Sequence, residues 1–184
     1  MDLNILVQST CFAHSRQVSK ISALLAEHAG YAPNETSLIG QAALYHDIGK
    51  TEIPASILNK PGALTSEEFA LVKTHTTLGF DKINETIDVL TIAADVCRDH
   101  HERPDGAGYG GISESRIHPY TKLITVADVF DALYSKRAYK EPWGIEQIRS
   151  FFHEQSGTQF DAGIVLLLFS ILDEVLTLYH AENA

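Results

Sequence analysis

An all-α fold is what this chain predicts, on three observations. Apolar residues recur at three- and four-residue intervals through most of its length. No segment alternates with the period of two that a half-buried strand requires. Gly and Pro fall between the periodic stretches, where they punctuate helices. Taken in order, His14, Val18, Ile21, Leu25 and His28 define an amphipathic first helix that ends near Gly30. A second runs from about Glu35 into His46 and Asp47 and stops near Gly49, a glycine expected to release the helix. Asn59-Lys60-Pro61-Gly62 is a turn. Thr65 with Glu68 forms a capping box, opening a helix that carries Phe69, Val72 and His75 on neighbouring turns. A fourth helix spans roughly 87–100. Gly106, Gly108, Gly110 and Gly111, with Pro104 and Pro119, make 103–119 a long loop, and loops of that length in small domains are usually functional. Helical spacing returns from Pro119 to Tyr134, and two further helices follow at about 144–155 and 161–180. The last is poor in polar residues and is expected in the core.

The chain has 184 residues, 45% of them apolar, which suits a single domain over 1–184. The most apolar run, 163–169, is soon followed by Asp173 and Glu174 and is too short to span a bilayer. The N-terminus lacks the basic start and cleavage pattern of a signal peptide. Two distant cysteines outside any CxxC spacing fit reduced thiols, so the expected location is cytoplasmic. A net charge of −10 argues against a binder of nucleic-acid polymers. It leaves room for a small anionic substrate, because half of the Lys and Arg residues lie between 98 and 140.

Seven side chains of metal-ligand type stand out: His14, His46, Asp47, His75, His100, His101 and Asp128. Imidazole and carboxylate donors suit iron, manganese or zinc. Seven donors exceed what one ion needs, so two divalent ions sharing a carboxylate is the economical reading. Paired ions are a device for cleaving phosphate esters. Each residue also has a plain alternative. His46–Asp47 resembles ordinary helix-end polarity, His100–His101 resembles polar loop residues, and His14 on an apolar face reads alone as a satisfied core histidine. His28, His118, His153 and His180 are assigned no role. Asp128 lies in the apolar stretch TVADVFDAL, where a carboxylate is costly unless paired or metal-bound. Asp131 shares that face and is positioned to orient a ligand. Lys50, just after HDIG, could neutralise a phosphate oxygen.

In order along the chain, HDIGK, the turn LNKPGALT, HHERPDGAGYGG and VADVFDALYSKRAYK resemble the HD-GYP branch of the HD phosphohydrolase superfamily, from about His14 to Phe160. The resemblance implies a compact all-helical HD bundle that hydrolyses a bacterial cyclic dinucleotide. The chief substrate would be cyclic di-GMP, cut to linear pGpG or GMP with two or three iron or manganese ions. It also implies roles. His14, His46, Asp47 and Asp128 would hold one ion, and Asp47, His75, His100 and His101 the other. Lys50 would lie beside the scissile phosphate, while Tyr109, Arg137 and Lys140 would contact the substrate. A diguanylate cyclase or another signalling protein is an implied partner; a membrane is not. Two departures carry expectations. Thr10 stands where three-metal members have a glutamate, so two ions are expected. Gly110 replaces the proline of GYP, so the loop around 104–117 is expected to be more mobile, and Gly110→Pro to tighten binding provided the native φ is compatible and no N–H bond is lost. The absence of a sensory module before Met1 suggests a freestanding enzyme or an excised member. The rival readings are a catalytically silent cyclic-dinucleotide receptor and an HD phosphohydrolase acting on another nucleotide, such as cyclic GMP-AMP.

Overall fold

The structure, a computed structural model, describes residues 11–86, 91–136 and 141–180. Those residues form a helical bundle without strands, apart from an isolated bridge between Ser156 and Phe160. Helix α1 (Cys11–His28) is central, packing against α2 (Pro33–Tyr45), α7 (Pro119–Tyr134), α9 (Ala162–Ser170) and α10 (Leu172–His180). It ends as its pattern requires, with Gly30 at φ +84°, a conformation glycine adopts without a Cβ penalty. Pro33 opens α2 at the first helical position, where its missing N–H costs nothing. Val18, Ile21 and Leu25 of α1 meet Ile39, Ala42 and Ala43 of α2 and Leu123, Ile124, Ala127 and Phe130 of α7 in one buried core. The short α8 (Ile145–Glu154) closes that core from the side with Phe152, stacked on Phe160 at 4.5 Å between ring centroids.

Between α2 and the loop, the chain makes a 3-10 turn (Ile48–Glu52), a single-turn α3 (Ala55–Leu58), α4 (Ser66–Lys73), α5 (His75–Thr86) and α6 (Thr91–Asp99). The Thr65/Glu68 capping box forms as expected, with Glu68 N–H donating to Thr65 Oγ1 at 3.2 Å. The helix it opens is shorter than predicted. It stops at Thr74, whose hydroxyl donates to the Leu71 carbonyl, and His75 begins a new helix instead of sitting on a later turn of the first. Gly49 also acts differently from the expectation. It does not adopt a left-handed conformation. A Cβ there would lie 1.9 Å from the His75 carbonyl oxygen, so glycine is required for the 3-10 turn to press against α5. The expected final helix divides into α9 and α10, bent by 64° at their junction. Val165 and Leu168 are buried while Leu166 is 75% exposed, so only one face of α9 belongs to the core. Among the described residues no single helix is long and apolar enough to cross a membrane.

Candidate metal centre

Six elements deliver the seven predicted side chains to one place. His14 comes from α1, His46 caps the C-terminus of α2, and Asp47 precedes the 3-10 turn. His75 starts α5, His100 and His101 follow α6, and Asp128 lies on the buried face of α7. Donor atoms of Asp47, His75, His100 and His101 form one group within 4.8 Å of one another, and those of His14, His46 and Asp47 form a second. Asp47 belongs to both. Its Oδ1 lies 3.3 Å from His75 Nε2 and 3.6 Å from His100 Nε2, while its Oδ2 lies 3.4 Å from His46 Nε2. Asp128 Oδ1 is 2.9 Å from His14 Nε2 and 3.8 Å from His46 Nε2, placing it with the second group. The Lys50 ammonium meets Asp47 Oδ2 at 2.5 Å.

The imidazoles are oriented from behind. His46 Nδ1–H donates to the Ala43 carbonyl at 2.7 Å and His75 Nδ1–H to the Val72 carbonyl at 2.6 Å. His100 Nδ1–H is shared between the Val96 and Cys97 carbonyls at 3.0 Å each. Each such bond selects the tautomer whose Nε2 carries a lone pair, and those nitrogens face the centre. His75 and His100 Nε2 then lie 3.3 Å apart with two lone pairs confronting each other. His46 Nε2 and Asp47 Oδ1 are buried without a hydrogen-bond partner. Confronted lone pairs beside a buried carboxylate call for a cation, so the donor set fits divalent metal ions.

The electrostatics agree. Burial, then the neighbouring His100, lowers the His75 pKa to about 4, and the same two causes lower that of His101 to about 2. Both are therefore neutral donors at ordinary pH. Burial opposes the ionisation of Asp47, but the Lys50 ammonium outweighs it and holds the carboxylate well below its usual range. His14 differs. Burial disfavours its charged form, yet Asp128 and Asp131 raise its pKa to about 9, so a proton or a metal ion must balance those carboxylates.

Sequence spacing had suggested that Asp131 orients a ligand, and it accepts from His14 Nδ1 at 2.5 Å. Two of its partners were not foreseen. Its Oδ1 accepts from Ser135 Oγ at 2.7 Å and from Tyr179 Oη at 2.9 Å, the latter reaching over from α10. Glu102 was missed as well. Its buried carboxylate takes the N–H of Gly110 on Oε1 and that of Ile112 on Oε2, the second at 3.2 Å. The loop predicted to be mobile is thus tied down at its glycine-rich centre. The Gly110 N–H is one of the ties, so a proline there would remove it, and the condition on which tighter binding was expected is not met. Tyr109 lies over His101, with ring centroids 4.5 Å apart. Thr10, Arg137 and Lys140 lie outside the described residues.

Residues 2–164 match the HD domain family. The chain belongs to that family. Among curated relatives, this HD domain is 38% identical over 168 residues to the 3'3'-cGAMP-specific phosphodiesterase 2 of Vibrio cholerae, covering 90% of this chain and 32% of the relative. It is 37% identical over 172 residues to a cyclic di-GMP phosphodiesterase of Thermotoga maritima, covering 92% of this chain and 47% of that one. The chain thus spans less than half of the length of these relatives. Its fold resembles that of Bd1817, an HDG"Y"P protein from Bdellovibrio bacteriovorus, with a TM-score of 0.70 at 24% identity, over 87% of this chain and 51% of that one.

Proposed function

We propose that this HD domain is a metal-dependent phosphodiesterase that opens the ring of a cyclic dinucleotide, cyclic di-GMP first, to give pGpG or GMP. The Asp47 carboxylate carries the reading, because its two oxygens face two separate donor groups, as a residue shared by paired ions must. His14, His46, Asp47 and Asp128 would hold one ion, and Asp47, His75, His100 and His101 the other; imidazole and carboxylate donors suit first-row metals, and the family resemblance favours iron or manganese among them. Such a pair, when bound, supplies an activated water and neutralises charge on the phosphoryl oxygens.

The protein's own groups do the rest. Lys50, half-buried against Asp47, keeps a fixed positive charge beside the position where the phosphate gains negative charge in the transition state. The backbone carbonyls behind His46, His75 and His100 prevent the rings from turning, so the centre needs little reorganisation during turnover. Tyr109 offers its ring and hydroxyl to the substrate from the loop. Arg137 and Lys140 would grip its phosphates or guanine edges, roles that rest on the family resemblance.

A hybrid substrate, 3'3'-cGAMP, is the second reading, favoured by the name of the Vibrio cholerae relative. Elemental analysis of protein purified without oxygen, paired with an assay resolving both cyclic dinucleotides from pGpG and GMP, tests the proposal. Two ions per chain with a linear product support it. Bound metal with neither substrate cut leaves a receptor domain, and no bound metal overturns the paired-ion reading.

A further inference from the structure

Beside the centre, α4 carries a feature that the proposed chemistry does not use. Phe69 and Lys73, four residues apart, share the helix face that meets the glycine-rich loop. The Phe69 ring stands edge-on to Tyr109, with centroids 6.2 Å apart at 87°, and the Lys73 ammonium lies 5.1 Å from both ring centroids. Tyr109 in turn lies over His101 at a 30° tilt. A continuous wall therefore runs outward from a donor of the metal cluster, through Tyr109, to Phe69. Its outer end is open: Phe69 is 43% exposed, the one aromatic among the large apolar side chains exposed in the described residues.

Resting on the phosphodiesterase reading, we propose that Phe69 and Lys73 form a purine subsite, in which a base of the cyclic dinucleotide stacks on Phe69 while its phosphate lies at the metal centre. The chemistry matches a purine at both surfaces. An exposed aromatic face beside a polar site is a platform for a base, whose flat faces are poorly hydrated. The adjacent ammonium complements the acceptor edge of guanine, where O6 and N7 lie side by side. Lys73 also holds α4 against Tyr109 through both rings, which keeps the platform at a fixed distance from the cluster.

Calorimetric titration of the purified protein with cyclic di-GMP, and separately with inorganic phosphate as a base-free ligand, tests the subsite. Loss of one base-stacking ring corresponds to about a 5- to 150-fold loss of affinity. Phe69→Ala should therefore lower the ratio of cyclic di-GMP affinity to phosphate affinity by that factor. Phe69→Trp should restore most of it, which a purely structural role for phenylalanine would not predict. An unchanged ratio in Phe69→Ala, or equal losses for both ligands, overturns the subsite. Binding without turnover in the parent protein would overturn the hydrolase reading and leave the subsite standing. Turnover of cyclic di-GMP with an unchanged ratio would do the reverse.

Discussion

Asp47 and His14 make the sharpest contrast at the scale of single residues. Asp47 faces both donor groups, so Asp47→Ala is expected to release both ions. His14 faces one group, so His14→Ala should reduce the metal content by one ion, and elemental analysis of the two variants distinguishes them. Behind His14, Asp131 accepts three hydrogen bonds, from His14, Ser135 and Tyr179. A carboxylate in that position fixes the ring of its histidine and raises its basicity. Asp131→Asn should weaken the His14-side ion by about 10–100-fold, read by competition with a chelator, while the His75-side ion is retained. Tyr179→Phe removes one support of that carboxylate and should have a smaller effect in the same direction. Equal losses of both ions in either variant would point to unfolding and not to ligand orientation.

At the scale of elements, two close approaches hold the site together. The 3-10 turn after Asp47 presses its Gly49 against the first residue of α5, leaving no space for a Cβ. Gly49→Ala must push the turn and α5 apart, separating Asp47 from His75. The expected cost is about 1–3 kcal/mol of stability, measured by denaturant unfolding, together with a loss of metal. The second approach lies in the loop, where Gly108 has no room for a Cβ above Glu102, and Gly110 and Ile112 donate to the Glu102 carboxylate. Hydrogen bonds to a charged acceptor contribute about 1.5–3 kcal/mol each. Gly110→Pro removes one of them, so we expect weaker cyclic di-GMP binding. Tighter binding by this variant would show that the tie to Glu102 is dispensable.

For the whole molecule, the metal centre is the place where five helices meet, with donors within α1, α5 and α7 and in the segments that follow α2 and α6. Ions bound there stabilise the native state alone, by about 2.7 kcal/mol at a free-ion concentration 100 times the dissociation constant. For a chain of this size each kcal/mol moves the melting temperature by about 2–4 °C. Chelation should therefore lower Tm by about 5–11 °C for each ion lost under that condition. A melting temperature indifferent to chelator would mean that the cluster carries no ion in the folded protein.

The sequence by itself determined the helical class, most of the helix boundaries and the residues that converge on the centre. Those properties are local: periodicity of apolar residues, caps and breakers, and words such as HDIGK and HHERPDG in which ligand types sit beside chain-turning glycines. Asp131 was legible for the same reason, being one helical turn from Asp128. Tertiary structure decided what depends on partners distant in sequence. Thr65 and Glu68 announce the start of α4, but its stop at Thr74 and the restart at His75 accompany the packing of α5 against Gly49. The bend between α9 and α10 brings Tyr179 to Asp131, 48 residues away, and no periodicity encodes that contact. Nothing in the sequence singles out Glu102, whose partners Gly110 and Ile112 reach it only when the loop folds back over it. Side-chain type is written along the chain, whereas which lone pair faces which proton is settled only when the helices pack.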